Sequence, residues 1–353
     1  MPYCRKCGAK LEENARFCQV CGTPVAGATA PPYAPYRRAR RQPHLVLVAV
    51  LIGVLLLALA LSAVAFLPFN PVSFNQTNSV AAQPGVDHLN LDLQADVADV
   101  NIIPQRLDGS LVFLNVSETG SSGLFGSANP VEVTFNNQTA NNTVLVFSTI
   151  SRGTMLPFSN NVHVVCDVYV DPSAELSLTV HSSVGQIVMD AQEKMTIQSL
   201  NLQATTGSVE VTLHRNVELT GSVSATTTTG TVTFDWEQAD AQGNVAVNLR
   251  STTGAVNLYL TRTNRLSGNV TVDAGTTTGS VNLTMTLRDG VGAKVESQTT
   301  LGGITVDAPR FSGDKSPIQS VNYPAASNFL VSLRTTTGGI NITGDYESGA
   351  VNS

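Results

Sequence analysis

The chain is short of charge. Only 13% of its 353 residues are Asp, Glu, Lys or Arg, about half the usual share for a soluble domain. Between Arg41 and Asp87 there is no charged residue at all. Aromatic residues make up only 6%, with a single tryptophan. Cysteine nearly disappears after Cys21, and Cys166 alone follows, so the long remainder can form no disulfide within itself. Glycine (28) and proline (16) sit near average usage, which excludes a collagen-like or Gly/Pro-rich disordered chain. His88, His163, His181 and His214 stand singly, without the spacing of a metal site or a catalytic triad.

The charge that is present is split by sign. Residues 1–43 carry eight basic and two acidic side chains, a balance of +6, whereas residues 87–353 carry twelve basic and twenty-four acidic, a balance of -12. Such a division suggests a boundary between two parts. At that boundary residues 45–67 read LVLVAVLIGVLLLALALSAVAFL, interrupted only by Gly53 and Ser62. A helix of that length spans about 35 Å, enough to cross a hydrocarbon core of roughly 30 Å. We therefore expect one transmembrane helix. Arg37, Arg38, Arg40 and Arg41 precede it, and the first basic residue beyond it is Arg106. By the positive-inside rule the N-terminus is cytoplasmic and the C-terminal part lies outside the cell membrane. The arginines also suit anionic lipid headgroups. Ala63-Val64-Ala65 faintly resembles a cleavage site, but the apolar run is too long for a signal peptide and lies behind a segment with its own fold signal. An uncleaved signal anchor is the reading carried forward.

Cys4-Arg-Lys-Cys7-Gly8 and Cys18-Gln-Val-Cys21-Gly22 are two C-x-x-C-G knuckles ten residues apart. Two intervening residues let one tight turn aim both sulfurs at a single ion, and the glycine relieves the turn. Two knuckles make a closed, structural Cys4 site for Zn2+ with no open position. A redox role needs a βαβ context that is absent, and disulfides are disfavoured on a reducing side. The segment YCRKCGAKLEENARFCQVCGTPV resembles the short zinc-ribbon module at the start of many bacterial and archaeal membrane proteins. Nucleic-acid binding is disfavoured: Glu12 and Glu13 offset Arg5, Lys6, Lys10 and Arg16, and only Tyr3 and Phe17 are placed to stack.

One motif then returns: ATTGSVEVTL at 204–213, TTTGTVTFDW at 227–236, STTGAVNLYL at 251–260, TTTGSVNLTM at 276–285, TTLGGITVDA at 299–308 and TTTGGINITG at 335–344. A weaker copy stands at 182–191. A period in the twenties signals a solenoid, and the alternation of apolar and polar residues is that of strands. Val209, Val211 and Leu213 share one face, as do Val232, Phe234 and Trp236. The expected fold is mainly β, a β-solenoid of short Thr-Thr-Gly coils stacked one on the next, two to three strands per coil. Each Thr-Gly marks a corner, and its threonines stack as a ladder. Ice-binding solenoids also carry threonine arrays, but on the flat strand face and not at corners. An insertion near 309–326 should loop out.

The expected organisation is a zinc ribbon (1–25), a Pro/Ala/Arg linker (26–44), the transmembrane helix (45–67), a second linker (68–86), irregular β coils or a cap (87–181), solenoid repeats (182–345) and a polar tail (346–353). Cys166 alternates with Val164 and Val168 and should be a buried, inert thiol. The stretch VHVVCDVYVDPSAELSLTVHSSVGQIVMDA with its following T-T-G-x-V-x-L repeats resembles a provisionally named adhesin family of β-solenoid domains in bacterial and archaeal envelope proteins. That resemblance implies the fold and a role in adhesion.

Sequons place Asn75, Asn115, Asn137, Asn141, Asn269, Asn282 and Asn341 as possible N-glycosylation acceptors. Asp190, Asp235 and Asp307 share one register, but their coils are not neighbours, so no catalytic carboxylate pair is expected and the chain reads as a non-enzyme. The functional expectation is a single-pass surface protein whose solenoid serves adhesion, binding or envelope scaffolding, with a surface glycan or protein as ligand. The alternative is a transmembrane coupler whose ribbon docks a cytoplasmic protein. A solenoid glycan hydrolase or lyase comes last.

Overall fold

The computed structural model describes residues 2–25, 43–65, 70–122, 131–152, 160–288 and 290–347. Arg37, Arg38, Arg40 and Arg41 lie outside these, as do the rest of 26–42 and residues 348–353 of the tail. Two units are distinguished, Met1–Ala60 and Leu61–Ser353. In the first, isolated bridges Tyr3–Lys10 and Phe17–Pro24 frame a small core of Cys4, Leu11 and Cys18. A helix, α1, runs Pro43–Ala65, opening on a proline whose missing N–H costs nothing in a first turn. Its side chains are described over 47–60, and all of them are exposed. Within that described stretch no helix is long and apolar enough to cross a membrane.

The second unit is mainly β. It begins with β1 (Asn70–Ala81), β2 (His88–Val97), β3 (Asp99–Pro104), β4 (Ser110–Ser122), β5 (Val131–Ala140), β6 (Thr143–Arg152) and β7 (Asn160–Val170). Next come β8 (Glu175–Val184), β9 (Ile187–Ala191), β10 (Met195–Thr206), β11 (Val209–Leu213), β12 (Val217–Thr229) and β13 (Val232–Glu237). The short β14 (Asp240–Ala241) leads to β15 (Asn244–Thr253), β16 (Val256–Arg262), β17 (Asn269–Thr278) and β18 (Val281–Arg288). The chain closes with β19 (Val291–Leu301), β20 (Ile304–Asp307), β21 (Phe311–Ser312), β22 (Ile318–Ser320), β23 (Ser327–Thr337) and β24 (Ile340–Glu347).

Each central coil contributes one strand to each of two large sheets. β8, β10, β12, β15 and β17 pair in parallel in one, and β9, β11, β13, β16 and β18 in the other. The result is a solenoid-like stack with two principal strands per coil. Alternation does what the sequence implies: Val209, Val211 and Leu213 are buried while Glu210 is exposed. Aliphatic side chains from both sheets form one continuous core. Trp236 is fully buried in it, edge-on to Phe329 at 5.8 Å, and donates its indole N–H to the Ala239 carbonyl at 2.7 Å.

The corners stack so closely that they admit no side chain. At Gly279, φ is +143° and a Cβ would sit 1.9 Å from the Gly254 carbonyl oxygen. The amides of these glycines continue the ladder, as Gly254 donates to Thr278 O and Gly230 to Thr253 O. At most corners a hydroxyl three residues before the glycine turns inward and donates to the glycine carbonyl of a neighbouring coil. Thr227 reaches Gly207 at 2.9 Å, Ser251 reaches Gly230 at 2.9 Å and Thr276 reaches Gly254 at 3.0 Å. The threonines next to the glycine stack in register on the surface, as Thr229, Thr253 and Thr278 do.

Stacking departs from chain order at both ends. β23 lies between β17 and β19, and β24 between β18 and β20, so the last coil is inserted into the stack and the one before it forms the end. At the other end the β2–β3 coil is held between the β6–β7 coil and the β8–β9 coil. Antiparallel strands finish this end: β4 covers β7, β1 covers β4 and β5 covers β6. Such caps keep parallel edges from pairing with other chains.

Two segments differ from their reading. Residues 68–86 were expected to be a linker, but β1 occupies most of them, because Val72 and Val80 find a buried face against β4. The 309–326 insertion does not hang free. It folds back so that β22 pairs antiparallel with the outer edge of β19, with Ile318 fully buried.

Candidate functional site

The N-terminal unit contains a near-twofold repeat of hydrogen bonds. Cys4 N–H donates to Ala9 O at 2.8 Å and Cys18 N–H to Thr23 O at 2.9 Å. Gly8 N–H donates to Cys4 O at 2.9 Å and Gly22 N–H to Cys18 O at 2.8 Å. Gly8 (φ 71°) and Gly22 (φ 68°) take the left-handed turn that follows each C-x-x-C. The two turns face one another. Cys4 and Cys21 sulfurs lie 3.6 Å apart, Cys7 and Cys18 sulfurs also 3.6 Å, and all four fall within 4.8 Å of one another. Disulfides would need about 2.05 Å, whereas thiolates about 2.3 Å from a shared tetrahedral zinc stand roughly 3.8 Å apart. The donor set fits Zn2+.

The surrounding donors favour the thiolate at Cys21 and Cys4, whereas at Cys7, against the pull of the Ala9 amide, the neighbouring Cys21 and Cys18 sulfurs push the thiol up to about 12. The hydroxyl and amide of Thr23 hold the Cys21 thiol down to about 6, and the amides of Lys6 and Cys7 lower Cys4. Arg5, Lys6, Lys10 and Arg16 are exposed around the cluster and offset the negative charge of a zinc tetrathiolate. Residues 3–25 match the zinc-ribbon domain family. This segment is a zinc ribbon. Bound zinc supplies the ribbon with a crosslink in place of the hydrophobic core that so short a segment lacks.

The β unit places the remaining sequence-derived residues. Asp190, Asp235 and Asp307 do share one register column, through Thr212, Tyr259, Thr284 and Thr343. His214 is not isolated, however. Its Nε2 lies 2.8 Å from Asp190 and its Nδ1 2.7 Å from Glu237, two coils apart. Spacing along the chain missed this contact because the histidine sits in a turn, off the strand register. A buried Arg262 likewise organises the corner opposite the glycines. It donates to the carbonyls of Ala239 (2.7 Å), Asn264 (2.8 Å) and Arg265 (2.9 Å), and it also reaches Gln238 O. Cys166 is fully buried, and burial, with Asp167 beside it, pushes its thiol far up.

The sequons fall into different settings. Asn75, Asn137 and Asn141 are exposed. Asn115 is half-buried, and Asn269 accepts the Asn328 amide at 2.9 Å. Asn282 and Asn341 belong to an asparagine ladder in which Asn341 donates to Asn282, and Asn282 to Asn257, both at 2.8 Å.

Comparison with solved structures gives distant likenesses to proteins provisionally named for adhesion. A cell adhesion protein from Clostridium sporogenes ATCC 15579 is 13% identical over 77% of this chain and all of its own, with a TM-score of 0.37. An adhesin from Bacteroides fragilis NCTC 9343 is 11% identical over 76% of this chain and 96% of its own (TM-score 0.34). One from Parabacteroides merdae ATCC 43184 is 11% identical over 77% and 96% (TM-score 0.32). No curated protein matches the chain in sequence.

Proposed function

We propose that the chain is a single-pass surface protein, anchored by α1, whose β stack serves adhesion, binding or envelope scaffolding outside the cell while the zinc ribbon stays in the cytoplasm. The observation that carries this reading is the stack itself. Two broad sheets present mostly Thr, Ser and Asn to solvent, and antiparallel strands cap the end formed by β6 and β7. That form suits a rigid polar surface for contact with other surfaces. Anchoring is supported by the 23 residues of α1, the absence of charge between Arg41 and Asp87, and the arginines that precede it. Asn75, Asn137 and Asn141 are the sequons best placed for glycosylation.

Two measurements test it. Protease added to intact cells should remove residues beyond the helix and spare a tag on the ribbon; the reverse pattern overturns the topology. Beads coated with the full chain should adhere to cells or envelope material, and the absence of adhesion overturns the role.

A second reading is favoured by one feature of the ribbon. Tyr3, Phe17 and Val20 are all exposed, Val20 by 76%, an apolar display that suits a protein partner more than a purely structural knob. Under this reading the ribbon docks a cytoplasmic protein, and crosslinks to that protein disappear in the Cys4→Ser/Cys7→Ser variant. Crosslinks that persist in the variant count against it.

A further inference from the structure

The folded-back insertion creates a cleft of about 430 Å3 on the solvent face of the larger sheet, within the size range of small-molecule sites. Its floor follows from register. Across β17, β23 and β19 the outward columns read Thr271–Leu330–Lys294, Asp273–Ser332–Glu296 and Gly275–Arg334–Gln298. Ser332, at the centre of this patch, is small, so the middle is sunken between longer neighbours. Tyr323, from the end of the insertion, forms one wall.

Charges in the cleft alternate in sign. Lys294 pairs with Glu296 at 2.6 Å, and Arg250, beside the cleft, pairs with Asp273. Asp273 keeps one oxygen without a hydrogen-bond partner. Arg334 lines this cleft and the adjoining one beneath Ser316 and Pro317. Its guanidinium makes no ion pair within 4.0 Å among the described residues, although its charge reaches Glu296 and, after Lys294, helps hold that carboxyl below its ordinary range. The lining residues balance in charge, and Arg250 beside them makes the cluster net cationic by one, on a segment whose overall balance is -12.

Each part matches a different part of one ligand chemistry. An unpaired guanidinium takes a carboxylate in a forked pair. Carboxylate and hydroxyl oxygens between the cations accept and donate to vicinal hydroxyls. The phenol ring of Tyr323 and the exposed Leu330 offer an apolar surface to the C–H face of a sugar ring. We propose that this cleft binds a saccharide bearing a carboxylate, with Arg334 as the residue that selects the acid. The proposal deepens the adhesion reading and rests on it only for the source of the ligand.

The test is calorimetric binding of the full chain to trigalacturonate, with galactotriose and succinate as comparison ligands. Trigalacturonate should bind saturably, at least about 10-fold tighter than either comparison. Arg334→Gln should remove the preference for the acid, and Tyr323→Ala should weaken both sugars. Arg215→Gln, which removes an equal charge from an exposed turn outside the cleft, should change nothing. Equal binding of succinate, no binding of trigalacturonate, or affinity unchanged in Arg334→Gln overturns the proposal. Unchanged thermal melts would show that the variants are folded. If beads adhere to cells but the sugar does not bind, this inference fails and the adhesion reading stands. If the sugar binds but beads do not adhere, the converse holds.

Discussion

The amide of Gly279 donates to the carbonyl of Thr337 at 2.9 Å, and the amide of Gly338 in turn donates to Leu301 at 2.8 Å. The corner ladder thus skips the coil that follows in sequence, takes in the last coil, and only then returns. The final described segment of the chain is held on both sides. A solenoid whose last coil sits at the end frays from that end, because the coil has one neighbour. Here amides of residues 329–342 should exchange with solvent as slowly as those of β12 and β15. Fast exchange confined to 329–342, measured by mass spectrometry, would contradict the inserted coil. Deleting residues 327–353 should lower the unfolding midpoint, since it removes the coil that pairs with both β17 and β19.

Ala204 occupies the position that carries a buried hydroxyl in the other corners, between Ser182 and Thr227 in register. Ser182 caps the Ala98 carbonyl at 3.1 Å and Thr227 that of Gly207, but no hydroxyl at 204 can cap Gly185. Ala204→Ser should raise stability by about 1 kcal/mol, and Thr276→Val, which uncaps Gly254, should lower it by about 1–3 kcal/mol. Denaturant titrations of both variants would show it. Equal midpoints would mean that these hydroxyls contribute nothing.

Gly254 combines φ of +141° with a Cβ position 1.9 Å from the Gly230 carbonyl oxygen. Gly254→Ala should therefore cost several kcal/mol, of order 3–5, or prevent folding. Gly243, which has open space around its Cβ position, is the comparison: Gly243→Asn should cost less than about 1 kcal/mol, since Asn tolerates positive φ. Thermal melts that rank the two in the opposite order would exclude backbone stacking as the reason for the corner glycines.

Asp240 sets a pH dependence. Burial alone would raise its pKa, but the Ser267 amide (3.0 Å) and hydroxyl (2.7 Å), the Ala241 amide and Arg262 hold it below the ordinary carboxylate range. A lowered folded pKa means that the stabilisation is complete above the unfolded value of about 3.9 and is lost as pH falls through the folded value. The melting temperature of Asp240→Asn should lie below that of the native chain at pH 7, and the two should converge below about pH 4. A gap that does not narrow as pH falls below about 3.9 would rule out this carboxylate as its source.

The ribbon should hold one zinc per chain. Cys18→Ser should lower zinc affinity by orders of magnitude, and a strong chelator should unfold residues 2–25. Retained amide dispersion for these residues in metal-free NMR spectra would show that the fold does not need the ion.

Much of this was legible along the chain. The knuckles were readable because C-x-x-C-G is a local device, with both sulfurs of a pair set by one turn. The strand faces of Val232, Phe234 and Trp236 were readable because a period of two needs no knowledge of neighbours. Contacts between coils were not. His214 between Asp190 and Glu237, the fivefold engagement of Arg262, and the cleft under Tyr323 all join residues from turns whose separation along the chain says nothing about their distance in space.

By itself the sequence determined the zinc ribbon, the uncharged helical stretch and the repeating Thr-Gly corner, since each follows from residue type at short, regular spacing. The order of the coils was decided only by the tertiary structure. The corner copies at 299–308 and 335–344 present nearly the same donors, acceptors and apolar faces to β17 and β18. Either fits the next place in the stack by local chemistry. What separates them is the 309–326 insertion, whose β22 must pair with a free edge. Only when β19 stands at the end, with the last coil tucked behind it, does that edge exist.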